Sequence, residues 1–339
     1  MKKKWFIGID VSKHTLDASF LMQQGTKRSE ASWQVFANTD AGLAKFKKWL
    51  TANGVPFSAN TLLVIENTGV YHRLLVNFCA QQQLPICVEN GAQVKWSLGI
   101  GRGKNDRIDS HRLLAYACRF ADRLKPTAAL LPGIQAIKDL TAMRSRQLTH
   151  LASLKAHLKE LAATTNPADV KALEKIHKPI IKASEVAIKK MEATIVQKIN
   201  ENANTKQQYK LLLSIPGIGP VTAAYLIACT NAFTNCSSGK QLACYCGVVP
   251  FDHQSGISVK GKHRVHHMAN KTLKSLLHMC ALTTIKYSPE FKAYVERRTA
   301  NGKHMMSTIN AVRNRLVLRA YAVVRDNKPY VENLCKSAA

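Results

Sequence analysis

The chain has 339 residues and 46% hydrophobic content, enough to bury more than one core and too much for wholesale disorder. Lys+Arg 49 against Asp+Glu 21 gives a formal charge of +28 at pH 7, with basic residues in every segment. A field of that sign gathers polyanions, so nucleic acid is the expected partner, and no long, uniformly basic amphipathic helix supports a membrane surface instead.

The first residues, Met1-Lys-Lys-Lys-Trp-Phe-Ile-Gly-Ile-Asp10, run basic then apolar, and Asp10 cuts the apolar run far short of a signal segment or a membrane span. The nine cysteines are scattered singly without a C-x-x-C pair, which reads as reduced, mostly buried thiols. These features predict a soluble, intracellular protein with no membrane partner.

In chain order, Trp5–Val11, His14–Leu21 and Ser32–Ala37 read as three consecutive strands, and Asn38-Thr-Asp-Ala caps a helix through Leu50. Asn60–Glu66 is a buried strand that delivers a carboxylate at its C-terminal end. A helix over about 69–82, a short strand Pro85–Glu89 and another helix follow. Three hairpin-like strands followed by alternating helix and strand predict an RNase H-like α/β domain, a mixed sheet with helices on its faces, over 1–129. Next, a glycine-rich basic loop from Gly99 runs into a helix whose first turn holds Asp106 and Asp109 on one face.

Residues from about 132 to 200 read as two long helices. Leu148, Leu151, Leu154, Leu158 and Leu161 form one apolar stripe. Val170, Leu173, Ile176, Ile180, Ile188, Met191, Ile195 and Ile199 form the other, with a kink expected at Pro179. This predicts an antiparallel coiled-coil linker over 130–205, or equally a helical bundle packed on the main body. Residues 206–339 read as a mostly helical C-terminal domain. It opens with the helix-hairpin-helix pattern Leu211-Leu-Leu-Ser-Ile-Pro-Gly217-Ile-Gly219-Pro, whose glycines permit a tight turn and whose backbone N–H groups can cradle a phosphate. Between Glu201 and Glu290 the only acidic residue is Asp252. It lies in a Gly/Pro-punctuated turn, Gly247–Gly256, that ends in Ser255-Gly256. Arginines at 297, 298, 313, 315 and 319 suit a phosphate-facing surface or simple solvation.

In an RNase H-like sheet, Asp10, Glu66, Asp106 and Asp109 converge at one edge. Four hard oxygen ligands packed together call for one or two Mg²⁺ ions in a phosphoryl-transfer geometry, although each acid alone reads as a cap or a surface charge. Ser255, read locally, is a turn residue with cations nearby and no Ser-His-Asp order.

Asp10, Glu66, the Asp106-x-x-Asp109 pair, the helical arm, Ile215-Pro-Gly-Ile-Gly219 and Gly247-x-x-Pro250…Ser255-Gly256 resemble, in order and over nearly the whole chain, the transposases of the insertion-sequence 110 family. The resemblance implies a RuvC-like DEDD domain, a coiled-coil linker and a C-terminal transposase domain with a characteristic serine. It implies a DNA recombinase guided by an element-encoded bridge RNA that pairs with target and donor double-stranded DNA. By the same resemblance, Ser255 attacks the backbone to form a covalent phosphoserine while Asp10, Glu66, Asp106 and Asp109 bind Mg²⁺. A site completed across protomers of a dimer or tetramer is also implied, and related invertases share the architecture. Lys260, Lys262, Arg264 and Asn270 match the family's basic tail and, with Gly217 and Gly219, are the expected nucleic-acid contacts. Two other readings remain open: a two-metal nuclease or junction resolvase in which water attacks, and a non-enzymatic nucleic-acid-binding scaffold.

Overall fold

The computed structural model describes residues 4–99, 103, 105–255 and 259–331, with the backbone alone at 252–255, 259–260 and 262–263. The chain divides into two compact units, 1–129 and 130–339.

The first unit contains β1 (Lys4–Val11), β2 (Thr15–Gln24), β3 (Lys27–Arg28), β4 (Ser32–Ala37), α1 (Asp40–Ala52), β5 (Thr61–Glu66), α2 (Arg73–Gln81), β6 (Ile86–Glu89), α3 (Gly91–Leu98) and α4 (Asp106–Arg119). The sheet runs β3-β2-β1-β5-β6, with β4 also paired to β2. β2 is antiparallel to β1 and β4, whereas β5 and β6 are parallel to β1 and β5. A meander on one side of β1 and parallel crossover strands on the other make the mixed sheet of an RNase H-like fold.

Alternation along β1 sorts the core into two layers. Ile7, Ile9 and Val11 join Leu16, Phe46, Leu50 and Leu75 beneath α1 and α2. Phe6 joins Val64, Cys87, Leu113 and Ala117 on the α4 side.

The second unit contains α5 (Ile134–Thr164), α6 (Pro167–Asn200), α7 (Ala203–Leu213), α8 (Pro220–Cys229), α9 (Gly239–Tyr245), β7 (Phe251–Ser255), β8 (Val259–Arg264), α10 (Lys271–Tyr287), α11 (Pro289–Ala300) and α12 (Met305–Arg325). Asn166 caps α6 through its side chain, with Pro167 in the first turn, and α6 continues through Pro179 without a break in the helix. α5 and α6 pair along their length through Arg144–Glu192, Gln147–Ser184 and Lys155–Glu185. Leu151, Leu158, Ile188 and Ile195 are buried along this pair, whereas Leu148, Ile176 and Ile180 of the expected stripes lie exposed. Ile134, Ile137, Ile195 and Ile199 enter the unit's core with Leu212, Ile227, Leu277, Phe291 and Leu316. Among the described residues no helix is long and apolar enough to cross a membrane.

Candidate functional site

The strand registers carry carboxylates across four neighbouring strands at one level. Asp10 on β1 is the direct partner of Asp17 on β2. Ile9 pairs with Ile65, so the next residues, Asp10 and Glu66, stand side by side on parallel strands. Glu66 in turn pairs with Glu89 on β6. Residues opposite one another share a face, and this face is the one that holds Phe6, Gly8 and Val64 beneath α4.

Close packing at Gly8 sets the last two acids on the same side. A Cβ at Gly8 would collide with the backbone of α4 at Leu114 N and Ser110 O, so α4 lies on β1 only because position 8 has no side chain. Ser19 Oγ meets Ser110 Oγ at 2.7 Å and His111 Nδ1 at 3.0 Å, which fixes the helix along β2 as well. Asn105 caps α4 by accepting from the Ile108 N–H at 2.7 Å, and the first turn carries Asp106 and Asp109. All four sequence-predicted acids therefore belong to one end of this sheet. Asp17 and Glu89 join them without having been expected. The signals for these two were an acid inside the apolar run Leu16-Asp-Ala-Ser-Phe20 and an acid closing β6 as Glu66 closes β5.

Electrostatics follow from this crowding. Burial first, then the charges of Asp106, Asp109, Asp17 and Glu66, push the Asp10 carboxyl up from 3.8 to about 6. Burial and Asp106 also raise Asp17, with the Trp33 indole offsetting part of the effect. Arg112 offsets one charge by donating from Nη1 to Asp109 Oδ1 at 2.9 Å. Tyr116 Oη donates to Glu89 Oε2 at 3.3 Å. The Glu66 carboxylate lies against the backbone of Gly91, at the start of α3. Among the described residues, no three acids, histidines or cysteines already close around one point as a metal-binding group. The donor set nevertheless fits a hard divalent cation, being all carboxylate, and such an ion would offset both the burial and the mutual repulsion that raise Asp10.

In the second unit the expected serine turn is part of a β-hairpin. Phe251 pairs with Arg264, His253 with Gly261, Gln254 with Lys260 and Ser255 with Val259, with a bulge between Phe251 and His253. Ser255 therefore ends β7 instead of lying in a turn, because the basic segment after it is the partner strand. Gly256 and the side chains of Ser255, Lys260 and Lys262 lie outside the described residues; Arg264 is exposed.

Of the remaining expected nucleic-acid contacts, Asn270 and Gly217 are structurally engaged. Asn270 Oδ1 caps α10 by accepting from the Leu273 N–H at 2.9 Å, and its amide donates to Tyr245 Oη at 3.1 Å. Gly217, at φ +86°, faces α10, where a Cβ would strike Thr284 Oγ1 and Cys280 O, whereas Gly219 has open space before it.

The arginines of α11 and α12 depart from a uniform phosphate-facing surface. Arg319 pairs with Glu290 and stacks on Phe291 and Tyr330, while Arg297, Arg298 and Arg315 surround Tyr294. Arg313 is buried.

Known proteins bear on both units. A DEDD transposase model of the IS110 group matches residues 7–167, which include the four expected acids. The model described as "Transposase IS116/IS110/IS902 family" matches residues 209–296, which include Ser255. The pilin gene-inverting protein of Moraxella bovis is 29% identical, over 96% of this chain and 98% of its own length. An uncharacterized 43.6 kDa protein of insertion element IS110 from Streptomyces coelicolor is 28% identical, over 45% of this chain and 37% of its own. Among solved structures, T. thermophilus RuvC in complex with a Holliday junction substrate is 12% identical, covers 37% of this chain and 99% of that one, and has a TM-score of 0.28. With the two family models matched in chain order and without overlap, the chain belongs to the IS116/IS110/IS902 family of transposases, with a DEDD domain at its amino-terminal side.

Proposed function

We propose that this protein is an RNA-guided DNA recombinase that cleaves and exchanges strands through a covalent phosphoserine at Ser255. The observation that carries the reading is the gathering of Asp10, Glu66, Asp106 and Asp109 at one end of the sheet in a chain of this family. Mg²⁺ held by these carboxylates would supply the positive charge that a phosphodiester needs beside it when it is attacked. Burial and neighbouring carboxylates disfavour the charged form of Asp10 when no cation is present, and Arg112 holds the Asp109 carboxylate.

In the proposed step the Ser255 Oγ forms a bond to phosphorus and one bridging P–O bond breaks. The serine proton leaves to solvent or a nearby base, and the departing strand end takes up a proton to finish as a hydroxyl. Attack by a hydroxyl end of another strand reverses the step and frees the serine, so the energy of the phosphodiester is kept. Two units contribute, and the reading requires that both engage the same phosphodiester, within one chain or between protomers of a dimer or tetramer. Donor and target duplexes are the DNA partners, and a guide RNA selects them. Gly219 and the basic strand with Lys260, Lys262 and Arg264 are the proposed contacts to these nucleic acids.

Inversion as the product has a specific observation in its favour, the full-length likeness to a pilin gene-inverting protein. The chemistry is the same, and only the arrangement of the joined sites differs. The decisive experiment is to trap a protein–DNA adduct under denaturing conditions. The adduct is expected with the wild type and Mg²⁺, and absent with Ser255→Ala or without divalent ions. Strand cleavage that persists in Ser255→Ala would instead assign the attack to water, as in a hydrolytic nuclease. Binding indifferent to Mg²⁺ and to Asp10→Ala, with no cleavage, would leave only a scaffold. Ribonuclease treatment of the purified complex tests the guide: target selection is expected to be lost while non-specific DNA binding persists.

A further inference from the structure

We propose that Arg313 and Lys274 form an anion site that takes one backbone phosphate of the DNA strand presented to the β7–β8 hairpin. The choice of DNA rests on the function proposed above, whereas the anion site rests on geometry. Arg313 on α12 is only 7% exposed, and its Nε is buried with no hydrogen-bond partner. No carboxylate among the described residues pairs with it, and no aromatic ring lies beneath it.

Its neighbour six residues along the same helix shows the contrast, because Arg319 has Glu290, Phe291 and Tyr330 as partners. A buried guanidinium with nothing to neutralise it is costly, and it persists where a ligand completes it.

The second cation is close by. Lys274 on α10 is half-buried, and burial together with the charge of Arg313 lowers its pKa. Among the described residues neither cation is paired with a carboxylate. Both flank the segment that leads into β7. A Cβ at Gly247 would lie 3.5 Å from Lys274 Cδ, and Asn310, one turn before Arg313, donates to the Val248 carbonyl at 2.8 Å. The pair therefore sits at the root of the strand that ends in Ser255. An arginine fork beside an ammonium suits a phosphodiester, whose two free oxygens can take donors from both.

Thermal unfolding of the full chain, with and without inorganic pyrophosphate at matched ionic strength, tests the site, together with duplex DNA binding as a function of salt. Pyrophosphate is expected to raise the wild-type Tm beyond the effect of chloride. Arg313→Met is expected to raise the Tm measured without anion and to abolish the pyrophosphate shift. Lys274→Met is expected to diminish that shift. Arg313→Met, which loses the one phosphate contact, should reduce the slope of log Kobs against log salt by about 0.9, and Lys274→Met by less. A lower Tm with an intact pyrophosphate shift in Arg313→Met would make the arginine a packing residue and end the proposal. So would a wild type that does not distinguish pyrophosphate from chloride. Should Arg313→Met fail to fold, an unchanged shift and slope in Lys274→Met would overturn the site equally. All of these readouts report stability or binding and none reports cleavage, so failure of the site and failure of the nucleophile are separable.

Discussion

Asp10 is half-buried, directly opposite Asp17 and beside Glu66, so its negative charge works against the fold whenever no cation is bound. Its folded-state pKa of about 6 lies above the ordinary 3.8, which means the folded protein holds this proton more tightly than the unfolded chain does. The group's favourable contribution is complete below pH 4 and is lost as pH rises through 6. Asp10→Asn is therefore expected to stabilise the metal-free protein at pH 7 by about 1 kcal/mol, allowing for the solvent that screens a half-exposed group. The advantage should vanish below pH 4 in denaturant unfolding curves. Mg²⁺ should raise the wild-type Tm more than that of the variant, and Asp10→Asn should show no cleavage. Gly8 makes a complementary prediction. Gly8→Ala drives a methyl group into the backbone of α4, which cannot yield as a side chain would, so a loss of about 3 kcal/mol is expected in unfolding of the first unit. Cleavage should fall with it, since α4 carries Asp106 and Asp109.

The turn between α7 and α8 separates two roles that two similar glycines can play. Gly217 combines a left-handed φ of +86° with contact against Thr284 and Cys280 of α10, and Thr284 Oγ1 donates to the Pro216 carbonyl at 2.8 Å. Gly217→Ala is expected to cost about 2 kcal/mol through strain and collision together. Gly219 has an ordinary φ of −88° and open space, so Gly219→Ala should leave the Tm unaltered. A weakened affinity for DNA in that variant, read at fixed salt, would mark the N-terminus of α8 as the phosphate contact. Elements of this kind are legible from sequence because Gly, Pro and capping residues act locally, and the strands of the first unit are legible from their alternation for the same reason. Asp10, Glu66, Asp106 and Asp109 stand out because each marks the end of an apolar run or the start of a helix. Asp17 and Glu89 carry similar local marks, but their membership in the cluster depends on which residues strand register brings opposite one another. The pairing of Phe251–Ser255 with Val259–Arg264 is hidden likewise, because charged positions on both strands obscure the alternation. The pairing of Arg319, and the absence of a partner for Arg313 among the described residues, depend on tertiary packing and leave no sequence signal.

At the scale of the whole molecule, charge and apolar surface pull assembly in opposite directions. A formal charge of +28 makes copies of the chain repel one another at low ionic strength, while recombination has to hold at least two duplexes. For the dimer or tetramer proposed above, we place the contact on α6, where Ile176 and Ile180 are 62% and 53% exposed and one helical turn apart. They continue the stripe that the α5–α6 pair leaves uncovered, which makes a second copy of the same face the fitting partner. Self-association should therefore strengthen as salt rises from 50 to about 200 mM and screens the charge, whereas DNA affinity should fall over the same range by counterion release. Ile176→Glu combined with Ile180→Glu is expected to shift sedimentation to the monomer at every salt concentration. The Tm should change little, because neither side chain contributes to the buried seam. Strand exchange should be lost in this variant. An unchanged sedimentation profile would remove α6 as the interface, and the opposite salt trends would then have to arise from another surface of the chain.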